Sequence, residues 1–139
     1  MVNSFVTICS ELEAENITIA DCRLHNKALC LEDGRIIGVD SSQFETEADL
    51  CTAIIHEGGH FISGAFYKPF SPYQIKEQAE YRADKAAILR FVPLARLKAS
   101  LDQGRSLSDI AEEFSVTEEF ILKAYLFYKE ILGVSFHKA

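Results

Sequence analysis

Apolar residues at Phe5, Val6, Cys9 and Leu12 share one face at helical spacing and predict an opening amphipathic helix over residues 3–15, with Asn16 suited to its end. The short alternating run Ile17-Thr18-Ile19 predicts a brief strand. Two further apolar runs, residues 27–32 and 35–40, flank Asp33-Gly34. Asp-Gly between two such runs is the signal of a type I′ turn, whose central residues need positive φ, so a small antiparallel sheet is expected. Ser42 to Glu45 has capping-box spacing and Thr46 is a second possible cap. From there Ala48, Leu50, Cys51, Ala53, Ile54 and Ile55 lead a helix into His56 and on to about Gly64.

The stretch from Phe66 to Tyr73 holds Pro69 and Pro72 and reads as a loop. A second long helix is expected over residues 74–91, ending ahead of Pro93. A shorter helix over residues 94–101 stops near Gly104. The tail pattern, Ile110, Ala111 and Phe114, then Phe120, Ile121 and Ala124, predicts two short helices with a turn at residues 115–117. Together these elements predict an α+β protein: one domain over residues 1–139, with a core to about residue 100 and a helical, helix-turn-helix-like tail from about 101.

The chain has 139 residues, 48% of them hydrophobic, which is enough for a single folded core. No apolar run approaches the roughly 20 residues that cross a bilayer. Met1 to Ser4 has neither the basic start nor the apolar stretch of a secretory leader, so a cytoplasmic protein is expected. Cys9, Cys22, Cys30 and Cys51 form no Cys-x-x-Cys pair and are expected as buried free thiols. The net charge is −7 with scattered basic residues, which disfavours nucleic acid and favours a basic protein or peptide as partner. The tail's second helix would open on Glu118-Glu119, which repels phosphate, so protein docking or a structural role is expected of it in preference to DNA binding.

His56-Glu57-Gly58-Gly59-His60 has the form His-Glu-x-x-His. On a helix, His56 and His60 lie on one face and can direct two imidazole nitrogens at one metal ion. Glu57 stands about 100° round the helix, where it can act on a water as general base without being a ligand. The helix is embedded, because residues 50–55 are apolar, and polar groups there need partners. Gly58 and Gly59 each cost about 1 kcal/mol relative to Ala in mid-helix and imply close approach of a neighbouring helix, another backbone or a substrate.

Catalytic zinc usually has three protein ligands and an open position. Glu80, on the second helix, can supply the third, with Glu77 one turn earlier as its rival. Asp84, four residues beyond Glu80, can accept the other ring N–H of a liganding histidine. Two histidines and a glutamate suit Zn2+. Tyr67, Tyr73 and Tyr81 are each candidates to support an oxyanion, and His25 and His137 read as surface residues.

Four features resemble the ImmA/IrrE family of zinc metallopeptidases: the hairpin with Asp40, the run from Ala53 to Phe61, the run from Glu80 to Leu89 closed by Pro93, and the helical tail. The resemblance spans roughly residues 17–125. It implies a minimal zincin-like fold in which His56, His60 and Glu80 hold zinc and Glu57 is the general base. It also implies a protein substrate, since members often sit beside a helix-turn-helix repressor in mobile elements and cleave or inactivate it. By analogy with zincins, the hairpin edge at residues 35–40 is expected to pair with extended substrate. Gly58 stands where the family usually has Leu, and Lys85 where an aromatic is common. These departures motivate an alternative, a non-catalytic metal-stabilised module that regulates a partner by docking.

Overall fold

The computed structural model describes residues 3–136, so Met1, Val2 and residues 137–139, His137 among them, fall outside the described residues. Helix α1 (Phe5–Glu13) starts at Ser4, which caps the Thr7 N–H while the Thr7 hydroxyl accepts the Ser4 N–H in return. It buries Ile8, Cys9 and Leu12, whereas Val6 points to solvent. The buried stripe therefore runs through Ile8 rather than the predicted Val6, a rotation of the apolar face that the crowded start of the chain left ambiguous. Asn16 takes positive φ and turns the chain out of α1, as its short polar side chain tolerates.

Three strands follow: β1 (Thr18–Asp21), β2 (Ala28–Leu31) and β3 (Ile36–Val39). They form one mixed sheet in the order β1-β3-β2, with β1 parallel and β2 antiparallel to β3. The expected antiparallel hairpin is thus present, but the sheet as a whole is not purely antiparallel. The expected substrate-pairing edge at residues 35–40 is overturned as well, because β3 is the central strand and has both its edges occupied. The turn also differs from type I′. Leu31 pairs with Ile36 across a four-residue loop, Arg35 N–H donates to Glu32 O, and the positive φ falls on Arg35 instead of on Asp33-Gly34. Arg35 is held in this conformation by its guanidinium, which donates to Glu15 O at 2.8 Å and lies over the Phe61 ring.

Between β3 and the next helix, a 3₁₀ turn at Ser41–Gln43 is organised by Asp40. Its buried carboxylate accepts from Leu24 N–H, from the Ser42 N–H and hydroxyl, and from the Gln43 amide. These donors, the Gln43 amide foremost and then the Ser42 hydroxyl, hold the Asp40 carboxyl well below the usual carboxylate range. Because the folded value lies below the unfolded value of about 3.9, this contribution is complete above about pH 4 and is lost as pH falls further. Wild-type protein is expected to lose melting temperature on acidification below that point. Asp40→Asn is expected to start from a lower melting temperature at neutral pH and to show a shallower acid loss, read by thermal melts across a pH series. An unchanged acid slope in the variant would place the linkage elsewhere.

Helix α2 (Glu47–Ser63) is capped by Thr46, which accepts from Asp49 N–H, so the second of the two expected caps is the one used. It ends at Gly64, whose φ of 71° reverses the chain. Helix α3 (Tyr73–Phe91) crosses α2 closely, and α4 (Leu94–Asp102), α5 (Leu107–Phe114) and α6 (Glu118–Leu126) follow, closed by a π turn at Phe127–Ile131. The crossing is made by small residues: Ala79, Ala83 and Ala87 are buried on one face of α3, and Gly59 of α2 meets the Ala83 backbone. Gly58 meets the Leu12 side chain of α1. Both mid-helix glycines are therefore packing contacts, one to each neighbouring helix.

The tail is not a separate body. Phe114, Phe120, Ile121 and Tyr128 share one apolar core with Ile8, Ile54 and Phe91, and the buried Tyr128 hydroxyl donates to Val92 O. Asn3 is tied to both ends, through Phe91 O and the Ser115 hydroxyl. Among the described residues no helix is long and apolar enough to cross a membrane. Cys9 and Cys51 are buried free thiols as expected, whereas Cys22 is exposed and Cys30 is only partly buried.

Candidate metal centre

The close α2–α3 crossing brings the two helices' polar residues together alongside the small-residue seam, around the contact of Gly59 with Ala83. Glu80 and Asp84 lie four apart on α3 and face His56 and His60, four apart on α2. His56 Nε2 is 2.5 Å from Glu80 Oε2, and His60 Nε2 is 3.4 Å from Glu80 Oε1. Ligand atoms of all three residues fall within 4.8 Å of one another, the spread one metal ion can span. Glu77 does not take part. It lies one turn earlier, where its carboxylate accepts the Tyr73 hydroxyl at the surface.

Each histidine has its other nitrogen committed. His56 Nδ1 lies 2.8 Å from Asp84 Oδ1, and His60 Nδ1 lies 2.7 Å from Ala65 O. A carbonyl and a carboxylate only accept, so both Nδ1 atoms carry hydrogen and donate, and both Nε2 atoms turn toward Glu80. The Ala65 carbonyl reaches the buried His60 because Gly64 has reversed the chain just before it. A neutral imidazole with hydrogen on Nδ1 presents a lone pair at Nε2. The 2.5 Å separation is that of a pair sharing a proton between His56 Nε2 and Glu80. Two Nε2 lone pairs and a carboxylate within 4.8 Å of one another are also a donor set that fits a divalent metal ion, which would take the place of that proton with the pair opened to about 3.2 Å, the spacing of two ligands on one tetrahedral ion. Burial opposes the charged ring, but the Asp84 hydrogen bond and the negative charges of Asp84, Glu80 and Glu57 outweigh it and raise the His56 pKa.

Glu57 stands beside this cluster without belonging to it. Its carboxylate Oε1 lies 3.1 Å from the Cys30 thiol of β2, which donates to it and to the Glu57 carbonyl. Burial, with the Glu57 charge next, pushes the Cys30 thiol well above its usual pKa, so it remains a protonated donor. No sequence spacing connects position 30 with position 57, and the sequence treated Cys30 only as a buried thiol. Tyr67 is the tyrosine at the centre: its hydroxyl donates to Glu80 Oε1 at 2.6 Å, a bond that helps push its pKa up to about 12. Tyr73 is occupied with Glu77, and Tyr81 is exposed, bordering a surface cavity that Glu80 also lines. His25 is exposed, as expected.

Two of the cavities that open on the cluster have Glu57 on their walls, and a third runs along α3 past Glu80. One, of about 440 Å³, lies between β2 and the loop after α2, with Cys30, Glu57, His60, Tyr67 and Glu80 on its walls. The other, of about 560 Å³, lies toward α6, with His56, Glu57, Asp84 and Lys123 on its walls. Acidic side chains dominate this second cavity: Glu45, Asp49 and Glu119 join Glu57 and Asp84, against Lys27 and Lys123 alone. Strand β2, not β3, is the sheet edge beside the cluster. Gly58 and Lys85 have structural places of their own. Gly58 makes room for Leu12, and Lys85 lies exposed on α3. Compared with protein-family models, with curated proteins and with solved structures, the chain gave no match.

Proposed function

We propose that the protein is a zinc-dependent endopeptidase of the ImmA/IrrE type, with His56, His60 and Glu80 as zinc ligands and Glu57 as general base. The observation that carries the proposal is the convergence of both Nε2 atoms on Glu80, with both Nδ1 atoms already committed and Glu57 beside them but outside the ligand set. Zinc held by these three residues would supply a Lewis acid that polarises a carbonyl and lowers the pKa of a water toward about 7. Glu57 would take the proton from a water as that water's oxygen bonds to the scissile carbonyl carbon. The same carboxylate delivers the proton to the amide nitrogen as the C–N bond breaks. Cys30 holds the Glu57 carboxylate in position through its S–H. Tyr67 has its hydroxyl at the cluster and stays protonated across the neutral range, so it can turn from Glu80 to the developing oxyanion. Edge strand β2, and not the central strand β3, offers a side that no other described strand pairs with to an extended chain.

The experiment is metal analysis of protein purified without a histidine tag, followed by a peptide-cleavage assay. About one zinc per chain and hydrolysis that stops with chelator and returns with zinc are expected. A folded protein that takes up no divalent metal would overturn the proposal.

The acidic cavity beside His56 favours basic side chains next to the scissile bond. A repressor that binds DNA carries clustered Lys and Arg for its own phosphate contacts, so it is a substrate of the right charge. Peptides with Lys or Arg near the cleaved bond are expected to react about 10-fold faster than their Glu counterparts, the gap closing as salt screens the charges. Glu45→Lys with Glu119→Lys is expected to reverse the preference, measured as kcat/KM on matched peptide pairs. Equal rates on basic and acidic peptides at low salt would remove this assignment while leaving the metal centre intact.

A further inference from the structure

Helix α6 lies beside the metal cluster although the His-Glu-x-x-His pattern does not call for it. Two bonds fix it there. Thr117 N–H donates to the Thr52 hydroxyl at 3.0 Å, pinning the α5–α6 turn to the helix that carries the histidines. Lys123 Nζ then reaches Asp84 Oδ2 at 3.1 Å, while Asp84 Oδ1 accepts the His56 Nδ1 hydrogen at 2.8 Å. The two oxygens of one carboxylate are thus held separately, one by His56 and one by Lys123. A carboxylate held at one oxygen keeps freedom to swing about its Cβ–Cγ bond, and held at both it does not. Phe120 and Ala124, on either side of Lys123, are buried, so the position from which Lys123 reaches is itself fixed.

We propose that Lys123 is a positioning residue of the metal centre: by anchoring Asp84 it holds His56 in the tautomer and direction that present Nε2, which makes the C-terminal helical tail a working part of the site. The proposal rests on the zinc-ligand role given above to His56, and it makes a claim opposite in sign to simple electrostatics. An ammonium group near a dication repels it, so charge alone predicts tighter zinc binding when Lys123 is removed. Positioning predicts the reverse. Loss of a group directly bonded to a liganding histidine costs about 10- to 100-fold in metal affinity, and Lys123 stands one bond further out, so about 3- to 10-fold weaker binding is expected.

The test uses the full chain as wild type, Lys123→Met and Lys123→Arg, with zinc affinity read by competition with a chromophoric chelator. Lys123→Met keeps most of the aliphatic stem at an exposed position, and thermal melts confirm that the fold is retained. Weaker zinc binding in Lys123→Met, restored in Lys123→Arg, is the expected result. Equal or tighter binding in Lys123→Met would overturn the proposal. The His56 ring is also followed by nitrogen NMR in metal-free protein, where a loss of the Nδ1-protonated signature in Lys123→Met is expected. If wild-type protein binds no zinc, the peptidase proposal fails. The role of Lys123 at a metal centre then falls with it, whereas zinc bound by wild type and bound equally by Lys123→Met overturns the Lys123 role alone.

Discussion

Glu57→Gln is expected to lower peptide hydrolysis by about 10²- to 10⁴-fold while leaving zinc content and melting temperature close to wild type. The amide is nearly the same size as the carboxylate, and its oxygen can still accept the Cys30 S–H. It cannot take a proton from water, so proton transfer is the part of the reaction that is lost. Glu57 lies outside the set of converging ligand atoms, so the metal should stay. His60→Ala is expected to behave differently, removing a ligand and therefore both zinc and activity. The two variants together separate a general base from a ligand, when rates on a fluorogenic peptide are compared with zinc per chain on the same preparations. Undiminished cleavage by Glu57→Gln would overturn the mechanism, and loss of zinc from that variant would make Glu57 a ligand instead.

How far the site could be read from the sequence depended on whether its parts shared one helix. His56, Glu57 and His60 are fixed relative to one another by the helical repeat, and so are Glu80 and Asp84, so each pair was legible as a face. What spacing could not supply was the crossing of the two helices, and with it the choice between Glu80 and Glu77. The crossing is set by Ala79, Ala83 and Ala87 against Gly59, and small residues carry little periodic signal because Ala also suits exposed helix positions. Cys30 and Lys123 were missed for the same reason: each reaches the site from another element through tertiary packing. In the sheet, the two runs around Asp33-Gly34 announced their pairing because a short turn enforces it. The parallel pairing of β1 with β3 has no such local signal, so the mixed sheet and its true free edge were not legible. The ends of α2, α3 and α4 were legible at Gly64, Pro93 and Gly104, which act through their own backbone geometry, whereas the start of α2 stayed open between Ser42 and Thr46 and α1 is shorter, Phe5–Glu13, than the expected 3–15.

Gly59→Ala is expected to be the most damaging small substitution in the chain, and Gly58→Ala, one residue away, to be nearly neutral. A Cβ on Gly59 would stand 2.1 Å from Ala83 O and 2.8 Å from Ala83 C. Both are backbone atoms in the middle of α3, so neither can rotate aside, and the helices must separate. A Cβ on Gly58 would stand 2.7 Å from Leu12 Cδ2, the far end of a side chain that can change rotamer. Alanine also gains about 1 kcal/mol of helix propensity over glycine, which offsets much of that smaller clash. Overpacking at Gly59 is expected to cost about 3 kcal/mol net, of the order of 10 °C in melting temperature for a chain of this size. The damage should extend to the metal centre, because the crossing that Gly59 permits is what sets Glu80 against His56 and His60 and Asp84 against His56. A shift of the order of 1 Å at the crossing is large against hydrogen-bond lengths that cluster within a few tenths of an ångström. Zinc affinity of Gly59→Ala is therefore expected to fall further than its stability alone would require, even at temperatures where the variant is fully folded. Thermal melts and chelator competition on both glycine variants measure this. A Gly59→Ala protein that melts like wild type and keeps its zinc affinity would show that the closeness of α2 to α3 does not set the ligand geometry.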